Sequence, residues 1–199
     1  DLVLSGTLPD ALFGRAVVIL SDLDGLGARD VAISQGGASG GEVHVYSVET
    51  GALILPVIDG AASGSSFGED LAAGDVDGDG HADIIIGAWG DSTAGAAAGS
   101  VTVVSGADST IIHTWTGENP GDNFGDAVAF AGDLDGDGCG DVLVGAPTNH
   151  FAGSNAGRVY ALSGDDGSVL WTCEGESTLD RLGVDLSLIH ISEPTRRLN

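Results

Sequence analysis

The chain has 199 residues and a formal net charge of −24, with only six basic side chains, all arginine. Such an acidic surface repels nucleic-acid backbones and anionic lipid headgroups, and so argues against both as partners. Hydrophobic residues reach 42%, yet no apolar run is long enough for a membrane span.

Residues 1–6 read as the last strand of a preceding unit, and a long repeat follows. Phe13-Gly14, Phe67-Gly68 and Phe124-Gly125 lie 54 and 57 residues apart, with Leu182-Gly183 a further 58 on. Periods of this size point to propellers or arrays. The second unit is the clearest. Phe67 to Gly74 reads as a first strand of small side chains, suited to crowding near a central axis. An acidic loop follows, Asp75 to Asp83, and then the apolar strand Asp83-Ile84-Ile85-Ile86-Gly87-Ala88. A continuous apolar run of this length reads as a strand buried on both faces. A small-residue loop, 89–99, leads to the alternating third strand Ser100 to Ser105 and to a fourth, Ile111 to Thr116.

The third unit repeats this order: Phe124 to Gly132, an acidic loop, Asp141 to Pro147, Arg158 to Ser163, and Ser168 to Cys173. The first unit keeps the third strand as Glu42 to Tyr46. No helical periodicity appears. Four antiparallel strands per unit make an all-β chain and one propeller blade each. The expected division is 1–6 as the end of a preceding blade, 7–60, 61–117 and 118–175 as three blades, and 176–185 as the start of another. Closed propellers have about four to eight blades. The chain therefore reads as an open sector, an internal piece with any export signal lying outside it; it contains no Met. Residues 186–199 break the pattern and read as a non-native tail, the translation of a sequencing adapter.

The acidic loops carry the chemistry. Asp75, Asp77, Asp79 and Asp83 occupy positions 1, 3, 5 and 9 of a nine-residue stretch with glycines at 4 and 6. Asp133, Asp135, Asp137 and Asp141 repeat the spacing. A worn copy holds Asp22, Asp24 and Asp30, with Leu26 at position 5. Hard cations such as Ca2+ need several oxygens converging from a short loop, and glycine tolerates the positive φ that curls it. An acidic turn without metal uses the same residue types, but its carboxylates would repel one another. An EF-hand also begins this way. It requires a bidentate Glu at position 12 and helical flanks, whereas position 12 here is Ile86 or Val144 and both flanks read as strands.

Catalytic groupings do not emerge. His44, His81, His113, His150 and His190 fall at different points of the repeat, with no zinc spacing and no Ser/His/Asp set. His44 and His113, on outer strands, are read as surface residues. Cys139 and Cys173 sit at opposite ends of one repeat and are read as free thiols, since a disulfide needs Cα atoms within roughly 7 Å.

Phe-Gly, then Gly-Asp-x-Asp-Gly-Asp-Gly-x-x-Asp, then Gly-Ala-Pro resembles the FG-GAP repeat of integrin α subunits and many secreted bacterial proteins. Residues 124–147 match fully, 67–89 depart only at Trp89, and 13–36 keep the first half. The resemblance implies a seven-bladed ring, and calcium between the first two strands of a blade. Blade two would supply Asp75, Asp77, Asp79, the carbonyl of His81, and Asp83. Blade three would supply Asp133, Asp135, Asp137, the carbonyl of Cys139, and Asp141. Two Ca2+ ions are thus expected, with a third site at Asp22, Asp24 and Asp30 weak or empty.

Loops leaving the second and fourth strands lie opposite the acidic loops. In integrin-like propellers that face meets partners. Here it would carry Trp89, Asp91, Asn149, His150, Phe151 and Asn155, although Trp89 or Phe151 could instead pack on the next blade. The expected function is a secreted or cell-surface calcium-binding adhesion module that meets a protein or glycan. The alternative is part of an enzyme propeller, hydrolase-associated or quinoprotein-like: Val159 to Leu162 with Gly167 to Trp171 resembles a hairpin of quinone-dependent dehydrogenase blades.

Overall fold

The computed structural model describes residues 3, 4, 6, 12–36, 40–60 and 63–186. The described residues form twelve strands and no helix: β1 (Leu12–Ile19), β2 (Val31–Gly36), β3 (Glu42–Tyr46), β4 (Ile58–Asp59), β5 (Leu71–Gly74), β6 (Asp83–Ala88), β7 (Ser100–Val104), β8 (Ile111–Thr116), β9 (Val128–Gly132), β10 (Asp141–Ala146), β11 (Arg158–Leu162) and β12 (Val169–Glu174). They build three four-stranded sheets in sequential order, β1 to β4, β5 to β8 and β9 to β12. Every pairing is antiparallel. The first strands, β1, β5 and β9, lie side by side. The chain is an open sector of a β-propeller with these strands innermost.

The apolar strands explain the stacking. β6 and β10 are buried along their whole length, so neither face can meet water. Ile84, Ile86 and Val104 pack toward blade one with Leu20, Val43 and Val45. Ile85, Val101 and Val103 pack toward blade three with Val128, Val142 and Leu162. Full burial of each such side chain contributes about 1.5–3 kcal/mol. One blade alone would expose both faces, so the stability lies between blades.

The Phe-Gly pairs of blades two and three are not strand residues, contrary to expectation. Phe67-Gly68 forms a turn ahead of β5, while Phe124 makes only an isolated bridge to Gly99 and Gly125 turns ahead of β9. Gly68 and Gly125 adopt φ of 78° and 83°, and their N–H groups donate to the carbonyls of Gly87 and Gly145 at 2.9 Å. A Cβ on Gly87 would lie 2.3 Å from the Gly125 carbonyl oxygen of the next blade. The second glycine is required because two blades touch there.

Two histidines are also not where their strands suggested. His44 is fully buried, stacked on Tyr46 at 6.1 Å and bonded to Glu42 at 3.1 Å. His113 is half-buried, and its Nε2 lies 2.7 Å from the Gly164 carbonyl of blade three. Outer strands of a propeller are covered by the neighbouring blade, so alternation does not put every polar residue in solvent. Residues 3, 4 and 6 are not in strands; the rest of the expected leading strand, and the tail from 187, lie outside the described residues. Leu186 packs against the Leu143 cluster of blade three.

Candidate metal centres

Each acidic loop joins the first two strands of its blade. Its curl comes from glycines at positions 4 and 6: Gly78 and Gly80 have φ of 76° and 91°, Gly136 and Gly138 of 86° and 96°. The loop side chains then fold inward. One carboxylate oxygen each from Asp75, Asp77 and Asp83 lies within 4.8 Å of the others, and the same holds for Asp133, Asp135, Asp141 and for Asp22, Asp24, Asp30. Ca2+ bonds oxygen at about 2.3–2.6 Å, so oxygens across one ion stand about this far apart.

Position 9 anchors each loop. Asp83 is fully buried; its Oδ2 accepts the Val76 N–H at 2.7 Å and its Oδ1 the Gly106 N–H at 3.1 Å. Asp141 accepts likewise from Leu134 at 2.6 Å and Gly164 at 3.2 Å. Gly106 and Gly164 begin the turns between the third and fourth strands, so one carboxylate ties two loops on the same face. Burial pushes the Asp83 carboxyl up to about 6, against the opposing pull of the N–H groups it accepts from. That tie was not legible in the sequence, because its partner lies 23 residues on.

Position 1 closes the curl. Asp75 accepts from Gly80 at 2.9 Å, and Asp133 accepts from Gly136 at 2.6 Å and Gly138 at 3.0 Å. Position 5 behaves differently. Asp79 and Asp137 are outside the converging sets, and their Oδ1 atoms accept the N–H of His81 at 2.7 Å and Cys139 at 2.8 Å. Those bonds hold residue 7 of each loop, the one expected to offer a carbonyl.

The donor set fits a hard cation. Asp75 Oδ1, Asp24 Oδ2 and Asp30 Oδ1 are buried oxygens with no hydrogen-bond partner; an unpaired buried carboxylate oxygen is costly, and a cation would relieve it. In blade one Leu26 is 53% exposed and offers no oxygen. Asp24 is nonetheless held below the usual carboxylate range, first by the Ser47 hydroxyl and then by the Leu26 N–H.

The loops also touch one another. The Gly140 N–H donates to the Asp75 carbonyl at 3.1 Å, and the Ala82 N–H to the Ser21 hydroxyl at 3.0 Å. Position 8 of each following loop thus rests on the start of the preceding one.

On the opposite face, Trp89 lines a pocket of about 290 Å3 with Arg15, Phe67 and Glu69. Arg15 and Glu69 form an ion pair across blades one and two. Phe151 is 74% exposed and stacks under the Arg158 guanidinium of its own blade at 4.9 Å. His150 is exposed, whereas Asn149 is buried and donates to Asp122 at 2.9 Å. No described helix is long and apolar enough to cross a membrane.

Residues 67–104 and 124–162 match the FG-GAP repeat family model. The chain is 35% identical over 168 residues to integrin alpha-PS2 of Drosophila melanogaster, covering 78% of this chain and 12% of that protein. It is 39% identical over 98 residues to human integrin alpha-IIb, covering 45% and 9%. The chain thus spans about an eighth or less of these relatives. Among solved structures, the rhamnogalacturonan lyase YesW matches with TM-score 0.53 at 17% identity, over 89% of this chain and 37% of that one. A Bacillus licheniformis rhamnogalacturonan lyase matches with TM-score 0.51 at 17% identity, over 84% and 35%. At that identity the likeness is one of fold.

Proposed function

This chain is an FG-GAP propeller similar to integrin α subunits, and from that premise we propose that it is a calcium-braced binding module working outside the cell. The observation that carries the reading is the convergence of three carboxylate oxygens within 4.8 Å in each acidic loop. Asp75, Asp77, Asp79, Asp83 and the His81 carbonyl would hold one ion. Asp133, Asp135, Asp137, Asp141 and the Cys139 carbonyl would hold a second. Calcium there supplies charge that offsets the crowded carboxylates and fixes the loop. The aspartates at position 9, Asp83 and Asp141, already orient the turns that the ion would lock.

The ions are structural in this reading, and partner contact falls to the far face. Trp89, His150 and Phe151 sit there, and a large aromatic on a loop is a common anchor for a protein ligand. Integrin relatives by sequence favour a cell-surface adhesion role over an enzymatic one, and the lyases share only the fold. Extracellular calcium-binding modules work at Kd values of about 10⁻⁴–10⁻³ M, which suits an exposed loop of this kind.

Titration calorimetry with calcium tests the assignment. Two sites per chain, lost one at a time in Asp77→Ala and Asp135→Ala, are expected. Heat unaltered by both substitutions would remove the basis for it.

A further inference from the structure

The cleft between blades one and two is open where its counterpart between blades two and three is filled. In the second cleft Trp115 of β8 and Tyr160 of β11 converge on Phe124, leaving about 130 Å3. Register fixes the equivalences. Trp115 pairs with Val101 as Ile58 pairs with Val43, and Thr102 stands in β7 where Tyr160 stands in β11. Ile58 and Thr102 are the smaller residues, and β4 is only two residues long. The result is a cleft of about 290 Å3, at the lower end of small-ligand sites.

Hydroxyl side chains make up half of its lining, among apolar residues and two carboxylates, of which Asp91 is already bonded to Thr93 and Ser100. β7 and β8 present cross-strand pairs Thr102–Thr114 and Ser100–Thr116, and all four line the cleft. Among the described residues none partners the hydroxyls of Thr102, Thr114 or Thr116. Across the cleft stands the exposed carboxylate of Asp59, beside the apolar surfaces of Ile58 and Phe67. No basic side chain lines it. Free hydroxyls and a carboxylate acceptor facing an apolar floor match a ring with hydroxyls on its rim and C–H groups on its face. The carboxylate and the absence of cations disfavour an anionic ring.

We propose that this cleft binds a neutral saccharide unit, independently of the acidic loops. The recognition would come from Thr102, Thr114, Thr116 and Asp59, with the ring set against Ile58.

The test is NMR shift mapping of the full chain in calcium, titrated with lactose, maltose and diacetylchitobiose. Digalacturonate and spermidine serve as charged probes. Saturating shifts with a neutral probe are expected at the amides of Thr102, Thr114 and Thr116. A neutral N-glycopeptide run alongside distinguishes a glycan on a partner from a free sugar: tighter binding of the glycopeptide names the former, tighter binding of the disaccharide the latter. Thr102→Tyr, which installs the residue that fills the other cleft, is expected to weaken binding at least ~10-fold, about 1.4 kcal/mol. Should that variant not fold, Thr114→Val and Thr116→Val at exposed positions carry the same test. Shifts absent for all neutral probes, tighter binding of a charged probe, or affinity indifferent to these substitutions would overturn the proposal.

Discussion

Asp83 Oδ1 accepts the Gly106 N–H at 3.1 Å while its Oδ2 accepts the Val76 N–H at 2.7 Å, so a residue of the acidic loop also holds the turn between β7 and β8. Asp79, four positions earlier, accepts only from His81, at an exposed site. The two aspartates should therefore separate by experiment. Asp83→Ala leaves two buried N–H groups unpaired, at about 1–3 kcal/mol each, and should destabilise the chain even in chelator. Asp79→Ala should change stability in chelator by under about 1 kcal/mol yet lower calcium affinity. Urea unfolding with and without chelator checks both; equal losses in chelator would contradict the division.

The same carboxylate sets a pH dependence. Burial raises Asp83 from 3.8 to about 6, so without cation the folded state holds a proton that the unfolded state has released. Stability from this group is then present below 3.8 and is lost as pH rises through about 6. Calcium should reverse the sign, because in the proposed site it would bind the carboxylate and compete with the proton. Urea midpoints across this range should fall with rising pH in chelator and rise in calcium, and the difference between the two slopes should shrink in Asp83→Asn. Parallel slopes in the two buffers would speak against the assignment.

How legible this was depends on distance along the chain. The loops were readable because their carboxylates and glycines lie within nine residues, and Gly78, Gly80, Gly136 and Gly138 all take the positive φ their positions imply. The four-strand unit was readable because β6 and β10 are unbroken apolar runs. Contacts across blades were not. The Phe-Gly pairs look like strand starts until Gly87 is seen against Gly125. His113 looks exposed until the Gly164 carbonyl of blade three meets it. The cleft at Thr102 appears only when β7 is set beside β11, because its size depends on a residue missing from a neighbouring blade.

Trp115 gives the clearest measure of that inter-blade adhesion. Its Nε1 donates to the Gly167 carbonyl of blade three at 2.8 Å, and its ring packs 4.9 Å from that of His113. Trp115→Phe keeps most of the ring and should cost about 1 kcal/mol for the lost hydrogen bond. Trp115→Ala also empties the cleft beside Tyr160 and should cost about 2–4 kcal/mol, below a fully buried Trp because the residue is half-exposed. Thermal unfolding of both variants reads the difference; equal melting temperatures would show that the bond, rather than the ring, carries the contact.

Leu26 offers a gain-of-function test of the loop logic. Blade one already brings Asp22, Asp24 and Asp30 within 4.8 Å. It curls through Gly25 and Gly27 at φ of 75° and 100°, and leaves Asp24 Oδ2 and Asp30 Oδ1 without partners. What separates it from the other two loops is the side chain at position 5. Leu26→Asp, at an exposed position, restores that oxygen with little effect on packing. Calorimetry should then count three calcium ions where two are expected of the parent chain, and the variant should gain more stability from saturating calcium than the parent does, since each ion bound only by the folded state adds RT ln(1 + [L]/Kd). An unchanged stoichiometry would mean that position 5 is not what distinguishes the loops. The difference would then lie at position 9, where Asp30 Oδ1 lacks the turn N–H that Asp83 and Asp141 receive.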